Sequence, residues 1–182
     1  MPNATESLIA INVAWLRQAL ELLDTISDDV FRTPPPNMAP HRVSSHLRHI
    51  LEFYECFLYG AGVGVVDYDA RRRDEAVERC RQHAAARARL VLRGLESLPW
   101  PGSHPVCVRM EDAAAGEGSP LLHSSVAREL QALSSHTIHH FALIAVTLRG
   151  HGIDMHPDFG TSPSTLRYRA SQGLGEPTAE AA

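Results

Sequence analysis

The chain has 182 residues and a formal charge of −4, with 44% apolar and 21% charged residues. These values are typical of a single globular domain and exclude a disordered chain or a pair of large domains. The negative charge gives no reason to expect nucleic acid as a partner, and the basic cluster 71–73 is interpreted as a solvated helix face.

The sequence has no pattern typical of a signal peptide or a membrane helix. Residues 1–6 carry no positive region before an apolar stretch, and the longest apolar run, 141–146, is too short to cross a bilayer. Three cysteines, Cys56, Cys80 and Cys107, are widely spaced and odd in number. They favour free thiols in a reducing compartment. We therefore expect a cytoplasmic protein that does not bind membranes.

Apolar residues recur with helical periodicity in four segments, which are residues 4–28, 42–59, 70–97 and 125–149. A proline run at 34–36 follows the first segment, Gly60 follows the second, and Pro99 follows the third. The fourth segment begins after a serine pair and ends at Gly150. Four long helices in one small domain predict an all-α fold, an up-down four-helix bundle.

The segments around the last predicted helix are less regular. Residues 105–110 have an extended pattern, and Gly116 and Gly118 offer a turn, so we predict a short β-hairpin before the last helix. The predicted domain covers residues 1–170. The stretch 171–182 is predicted to be a disordered tail.

Histidines are the unusual feature of the composition, and the last helix carries the most informative ones. His136 and His140 are four residues apart, so on a helix both project from the same face. That spacing allows two imidazoles to bind one metal ion. His139 points about 100° away from His140, so it is not automatically a third ligand.

The second predicted helix offers the third ligand. His46 and His49 lie in an otherwise apolar helix, on the side that also carries Phe53 and Cys56. A histidine facing the bundle interior would complete a three-nitrogen site. Three neutral imidazoles suit zinc, nickel, iron or copper better than magnesium or calcium, and they leave a coordination position open.

The order of these motifs resembles that of a known family. The histidine-led stretch at 49–54, followed by the H-x-x-H-H stretch at 136–140, is similar to the pattern of the DinB/YfiT-like proteins. The similarity extends over the four predicted helices, roughly residues 5–150. It implies an up-down four-helix bundle, often dimeric, with a three-histidine metal site. Some relatives use low-molecular-weight thiols as cosubstrates.

The resemblance implies that His49, His136 and His140 are the metal ligands. This chain differs from the family pattern in two respects. Many relatives have an Arg-Gly pair where this chain has residues 141–142, and His46 lies one turn before His49. His46 therefore stays an alternative to His49 or an addition to it, and we prefer His49 because the residues after it fit the family pattern.

Carboxylates and a thiol near these histidines are further candidates. Glu52 follows His49 by three residues and is our candidate catalytic residue, as a general base, a fourth ligand or a partner of a ligand. Glu129 lies two turns before His136 on the same face. For both glutamates the alternative is a solvent-facing side chain, and for Cys56 it is a small core residue.

The 163–169 segment has two interpretations. As a strap over the metal cavity, it would bring Arg167 or Arg169 to an anionic group of a substrate. As a tail, it would pack against the bundle through Leu166 and Tyr168, which is the interpretation that we favour.

Together these features predict a protein that binds one divalent transition metal ion, zinc or nickel before others. We expect a metal-dependent hydrolase or a thiol-dependent transferase that acts on a small molecule and forms a homodimer. The alternative is a non-catalytic protein that binds a metal or a small molecule, for example in a stress response. Neither the substrate nor the existence of catalysis follows from the sequence.

Overall fold

Helices dominate the computed structural model, which describes residues 3–36, 38–109 and 120–173. This part of the chain contains seven helices and three short strands. The mostly helical composition confirms the predicted helical class, to which a small sheet is added. Ser171 ends the last helix, and the remainder of the predicted tail, residues 174–182, lies outside the described residues.

Helix α1 (Ala4–Thr25) begins with a capping box. The Asn3 side chain accepts a hydrogen bond from the Glu6 backbone, and the Glu6 side chain accepts one from the Asn3 backbone. The helix ends before residue 28, where its end was predicted, because the chain turns and starts the short helix α2 (Asp28–Arg32).

Helix α3 (Val43–Val63) continues past Gly60, where the sequence predicted its end. Gly60 instead allows strand β1 (Val65–Asp67) to approach the helix closely, because an added Cβ would lie 2.5 Å from the Cα of Val66. The helix ends at Gly64, which has a left-handed backbone with φ of 83°.

The prediction of one helix over 70–97 is wrong in its first part. Residues 70–74 are not helical. Two helices follow, α4 (Glu75–Arg79) and α5 (Arg81–Glu96). The side chains of Asp67 and Asp74 each accept a hydrogen bond from a backbone N–H two residues later. Such local bonds compete with helix formation, so this acidic segment forms turns and a helix cap.

Two strands before the last long helix confirm the predicted strand pair. Strand β2 (Pro105–Arg109) pairs antiparallel with β3 (Leu122–Ser125), while Gly116 and Gly118 of the predicted turn lie outside the described residues. Strand β2 also pairs in parallel with β1, which was not predicted because three residues are too few for a recognisable alternation.

Helix α6 (Val126–Gly150) completes the set of four long helices. Helix α1 packs against α5 and α6, and α3 packs against the same two helices. Large buried side chains fill the space between them; those that are fully buried include Leu16, Phe31, Leu47, Tyr54, Phe57, Leu95, Leu130 and Phe141. The contact between α3 and α6 positions the histidines.

The last helix, α7 (Pro163–Ser171), is short and has no buried residue. Within the described ranges, none of the helices combines the length and the apolar character that a membrane span requires.

Candidate metal centre

Helices α3 and α6 each contribute histidines to the place where they pack together. His49 of α3 and His136 and His140 of α6 each offer a ring nitrogen, and these three nitrogens lie within 4.8 Å of one another. The side chains are half-buried. The structure thus brings together the three histidines predicted as ligands, in a group that could hold a metal ion.

The spacing of the nitrogens fits a shared ion. The Nε2 atoms of His49 and His136 are 3.1 Å apart. Two imidazole nitrogens bound to one tetrahedral zinc ion, with bonds of about 2.0–2.1 Å, would be about 3.3 Å apart. Without an ion, the same distance is a hydrogen bond in which one ring donates its N–H to the other.

The protonation of the three rings also fits a metal. Burial, with smaller contributions from neighbouring histidines and arginines, lowers the pKa of His49 and of His136 to about 4. Burial lowers the pKa of His140 to about 3, with smaller contributions from the other histidines. At neutral pH all three rings are therefore uncharged, which is the form that binds transition metals.

His46 lies behind His140 instead of replacing His49. Its Nδ1 atom is 3.1 Å from the Nδ1 atom of His140, which leaves Nε2 of His140 available to a metal. His46 is not a member of the three-nitrogen group. The exposed His41 ring stacks on His46, with centroids 5.8 Å apart and planes 7° from parallel. A row of imidazoles thus connects His140 with the surface.

His139 is exposed, and its ring meets His140 edge-on at 5.1 Å. It does not belong to the three-nitrogen group. This placement agrees with the helical geometry, which turns His139 away from the face that carries His140.

Aromatic rings pack against His136 and hold it in place. The Phe53 ring stacks on His136 with centroids 4.0 Å apart, and Tyr68 stacks on Phe53 at 4.8 Å. The Arg71 guanidinium lies 4.8 Å from the centre of the Phe53 ring. Nδ1 of His136 is buried and has no hydrogen-bond partner among the described residues. On the Nδ1 side, packing and not a hydrogen bond therefore orients this ring.

Three residues near the histidines were not predicted to belong to the site, namely Tyr68, Arg71 and His41. Tyr68 and Arg71 come from the irregular segment after β1, and Arg71 is half-buried instead of lying on a solvated helix face. No local pattern in the sequence places either residue beside the histidines. His41 lies five residues before His46 and before the start of α3, so no helical spacing could have linked it to the site.

A cavity of about 330 Å³ opens beside His136. Its walls are mostly apolar, and its apolar lining residues are Phe53, Val108, Leu122, Ala132 and Leu133. The buried Glu129 also lines it. One oxygen of Glu129 accepts from the Tyr68 hydroxyl at 2.8 Å, and the other accepts from the Ser124 hydroxyl at 2.5 Å. The carboxylate that shares a cavity with a predicted ligand is therefore Glu129.

Glu52 and Cys56 face a different cavity. Glu52 is buried, and its Oε1 accepts from the Asp74 backbone at 2.8 Å. Burial raises the pKa of Cys56 to about 11, so this half-buried thiol is protonated at neutral pH. Within the described ranges, the three-histidine group includes no carboxylate and no thiol. The catalytic role of Glu52 stays a prediction.

The 163–169 segment does not line the cavity beside His136. It forms most of α7, where Arg169 lies 3.8 Å from Asp158 and Leu166 is half-buried. Tyr168, which was predicted to pack against the bundle, is 62% exposed.

Comparison of the chain with known protein families and with curated proteins finds no match. The resemblance to the DinB/YfiT-like proteins therefore stays a prediction from the motifs at 49–54 and 136–140.

Proposed function

We propose that the protein binds one divalent transition metal ion, zinc or nickel before others, through His49, His136 and His140. The observation that carries this proposal is the group of three uncharged ring nitrogens within 4.8 Å of one another. Neutral imidazole is a good ligand for both metals, whereas magnesium and calcium prefer oxygen.

We further propose that the protein is a metal-dependent enzyme for a small molecule. Three protein ligands leave a coordination position open, and the cavity beside His136 offers space for a substrate. When bound, the metal would supply a Lewis acid that lowers the pKa of a thiol or of water. The chain's own contribution is the apolar wall around Phe53 and Leu133, which excludes water and binds an apolar part of the substrate.

Thiol transfer is the reaction that this site supports best. An ordinary thiol has a pKa of about 8.5, while water has one near 16. A site whose described residues place no carboxylate among the three nitrogens therefore activates a thiol more easily than water. The exposed Arg128 on the lining of the cavity would attract the carboxylate that low-molecular-weight thiols often carry.

Hydrolysis is the second candidate, and Glu129 is the observation that favours it. This buried carboxylate shares the cavity with His136 and could act as a base. Two features make Glu129 less suitable as this base. Both oxygens already accept hydrogen bonds, and two helical turns separate the residue from His136, about 10 Å along the axis.

An activity panel separates these candidates. The protein would be stripped with a chelator and reloaded with zinc or nickel. It would then be assayed with cysteine or glutathione plus an epoxide, and separately with esters and amides. Thiol addition that requires the metal and disappears in the His136→Ala/His140→Ala variant is the expected result. Metal-dependent ester or amide cleavage alone would support the hydrolase. A loaded protein that is inactive in every assay would overturn the enzyme and leave a metal-binding protein.

Assembly, location and helix arrangement complete the proposal. Each long helix packs against two others, which supports an up-down four-helix bundle. A homodimer is proposed on the family resemblance alone, and a monomer mass in light scattering would contradict it. A cytoplasmic location is supported by the three free cysteines.

A further inference from the structure

A second cavity, of about 490 Å³, lies between α3, β1 and α5. It shares no lining residue with the cavity beside His136. Its volume is within the range of about 300–1,000 Å³ that is usual for small-molecule sites. One wall is apolar and includes Leu58, Val65, Leu90 and Val91. The rest of the lining carries several charged groups, and their partners indicate what the cavity would bind.

Glu52 is the buried carboxylate of this cavity. Its side chain is 4% exposed, and Oε1 accepts from the Asp74 backbone. Oε2 is buried and has no hydrogen-bond partner in the described part of the chain. A buried carboxylate oxygen without a donor is costly, since desolvation is not compensated. The position therefore favours a ligand that brings a hydrogen-bond donor, preferably a charged one.

The other carboxylates of the lining already have cationic partners. Glu55 forms an ion pair with Arg87 at 2.6 Å. Asp67 lies 3.3 Å from Arg109 and also accepts backbone hydrogen bonds. Glu52 therefore differs from the other acidic residues of the cavity, because its Oε2 atom has no hydrogen-bond donor among the described residues.

The basic groups of the lining include a donor that lacks an acceptor. Arg87 uses a terminal nitrogen for Glu55, and its Nε is buried without a hydrogen-bond partner among the described residues. Arg72 also lines the cavity, with an exposed side chain. The two guanidinium groups favour a ligand that brings an acceptor, and a carboxylate is the acceptor that matches their geometry best.

We propose that this cavity binds a small zwitterion of the amino-acid kind with an apolar side group. Its ammonium group would donate to Glu52, its carboxylate would accept from Arg87 or Arg72, and its side group would lie on the apolar wall. The site is separate from the three histidines, so binding does not depend on the metal or on the proposed enzyme activity.

Isothermal titration calorimetry with three related probes tests the ligand class. The probes are L-phenylalanine, 2-phenylethylamine and 3-phenylpropanoate, of which only the first carries both charges. We expect L-phenylalanine to bind about tenfold or more tightly than either of the others, since each of them lacks one of the two charged groups that the cavity would pair. The same order is expected for chelator-treated protein and for the His136→Ala/His140→Ala variant, which separates this proposal from the metal centre.

Variants of two glutamates test the site. Glu52→Gln keeps an oxygen for the Asp74 backbone but removes the charge, and it is expected to weaken L-phenylalanine binding by about tenfold or more. Glu96→Gln is the matched control, because Glu96 is exposed, pairs with Arg17 at 3.1 Å and lies outside the lining. It is expected to leave the Kd unchanged.

Cys56 provides a test that needs no variant. It lines the cavity, whereas Cys80 is exposed elsewhere. Saturating L-phenylalanine should slow the alkylation of Cys56 by iodoacetamide in the wild-type protein and leave Cys80 unaffected. Equal affinity for the three probes, no binding of any of them, or equal protection of both cysteines would overturn the proposal.

Discussion

Two polar clusters connect α3 with α6, and they differ in how completely their atoms are paired. In the first, the Tyr54 hydroxyl donates to Asn12 at 2.7 Å and lies 3.1 Å from the Thr137 hydroxyl. The Asn12 amide donates to the carbonyls of Leu8 and Leu130. All three side chains of this cluster are buried. The cluster therefore joins α1, α3 and α6 through hydrogen bonds that the protein itself completes.

The second cluster is that of the histidines, and it is incomplete. His49, His136 and His140 are only partly buried, and His46 is buried. Nδ1 of His136 and Nε2 of His46 have no hydrogen-bond partner in the described residues. Polar groups that support a fold are normally paired. Groups that stay unpaired and keep a lowered pKa are typical of binding sites. The comparison predicts that the first cluster serves stability and the second serves a ligand.

The largest expected effect is the loss of the metal. The His136→Ala/His140→Ala variant removes two of the three predicted ligands, so its metal content should fall from about one ion per chain to none. Elemental analysis of the purified protein measures this. His139→Ala is the control, because His139 is exposed outside the group, and it should keep its metal. Equal metal content in the double variant and the wild type would contradict the assignment of these histidines as metal ligands.

Asn12→Ala should have the next largest effect, on stability. It removes the hydrogen bonds of the Asn12 side chain with the Tyr54 hydroxyl and with the carbonyls of Leu8 and Leu130, each worth about 0.5–1.5 kcal/mol, while the Thr137 hydroxyl remains beside Tyr54. We expect the free energy of unfolding in urea to fall by about 2–4 kcal/mol. Metal content at low temperature should not change. A variant that loses its metal yet keeps its stability would reverse the proposed division of roles.

His46→Ala should weaken metal binding without abolishing it. His46 contacts the nitrogen of His140 that faces away from the metal, and losing such a partner typically lowers affinity by about 10–100-fold. Competition with a chromophoric chelator measures the Kd. His46→Asn, which keeps an acceptor, should restore part of the affinity, and His139→Ala should leave the Kd unchanged. Identical Kd values for His46→Ala and the wild type would exclude the positioning role.

The last expected effect concerns the pH dependence of the stability of the metal-free protein. The pKa values of His49, His136 and His140 are lowered to about 4, 4 and 3, below the value of about 6.5 in an unfolded chain. Between pH 4 and pH 6.5 these histidines bind more protons in the unfolded state than in the folded state. The free energy of unfolding is therefore full above pH 6.5 and falls as the pH drops towards 4. Urea unfolding at several pH values measures this decline, which should be shallower in the His136→Ala/His140→Ala variant.

Much of the helical architecture could be predicted from the sequence, because its signals are local. Apolar periodicity placed the four long helices, and the spacing of His136 and His140 placed both rings on one face. The errors arose where a distant segment decides the outcome. Gly60 does not end α3, because β1 packs against it, and the acidic turns around Asp74 shorten the third helix from its start.

The packing of the helices distinguishes residues that are equivalent in the sequence pattern. His46 and His49 share a side of α3, and the rotation of α3 against α6 places His49 in the metal group and His46 behind His140. The same packing places Glu129, and not Glu52, in the cavity beside His136. The helices, the histidine pair and the choice of candidate ligands could be predicted from local periodicity and residue type. Which side chains meet depends on contacts between distant helices.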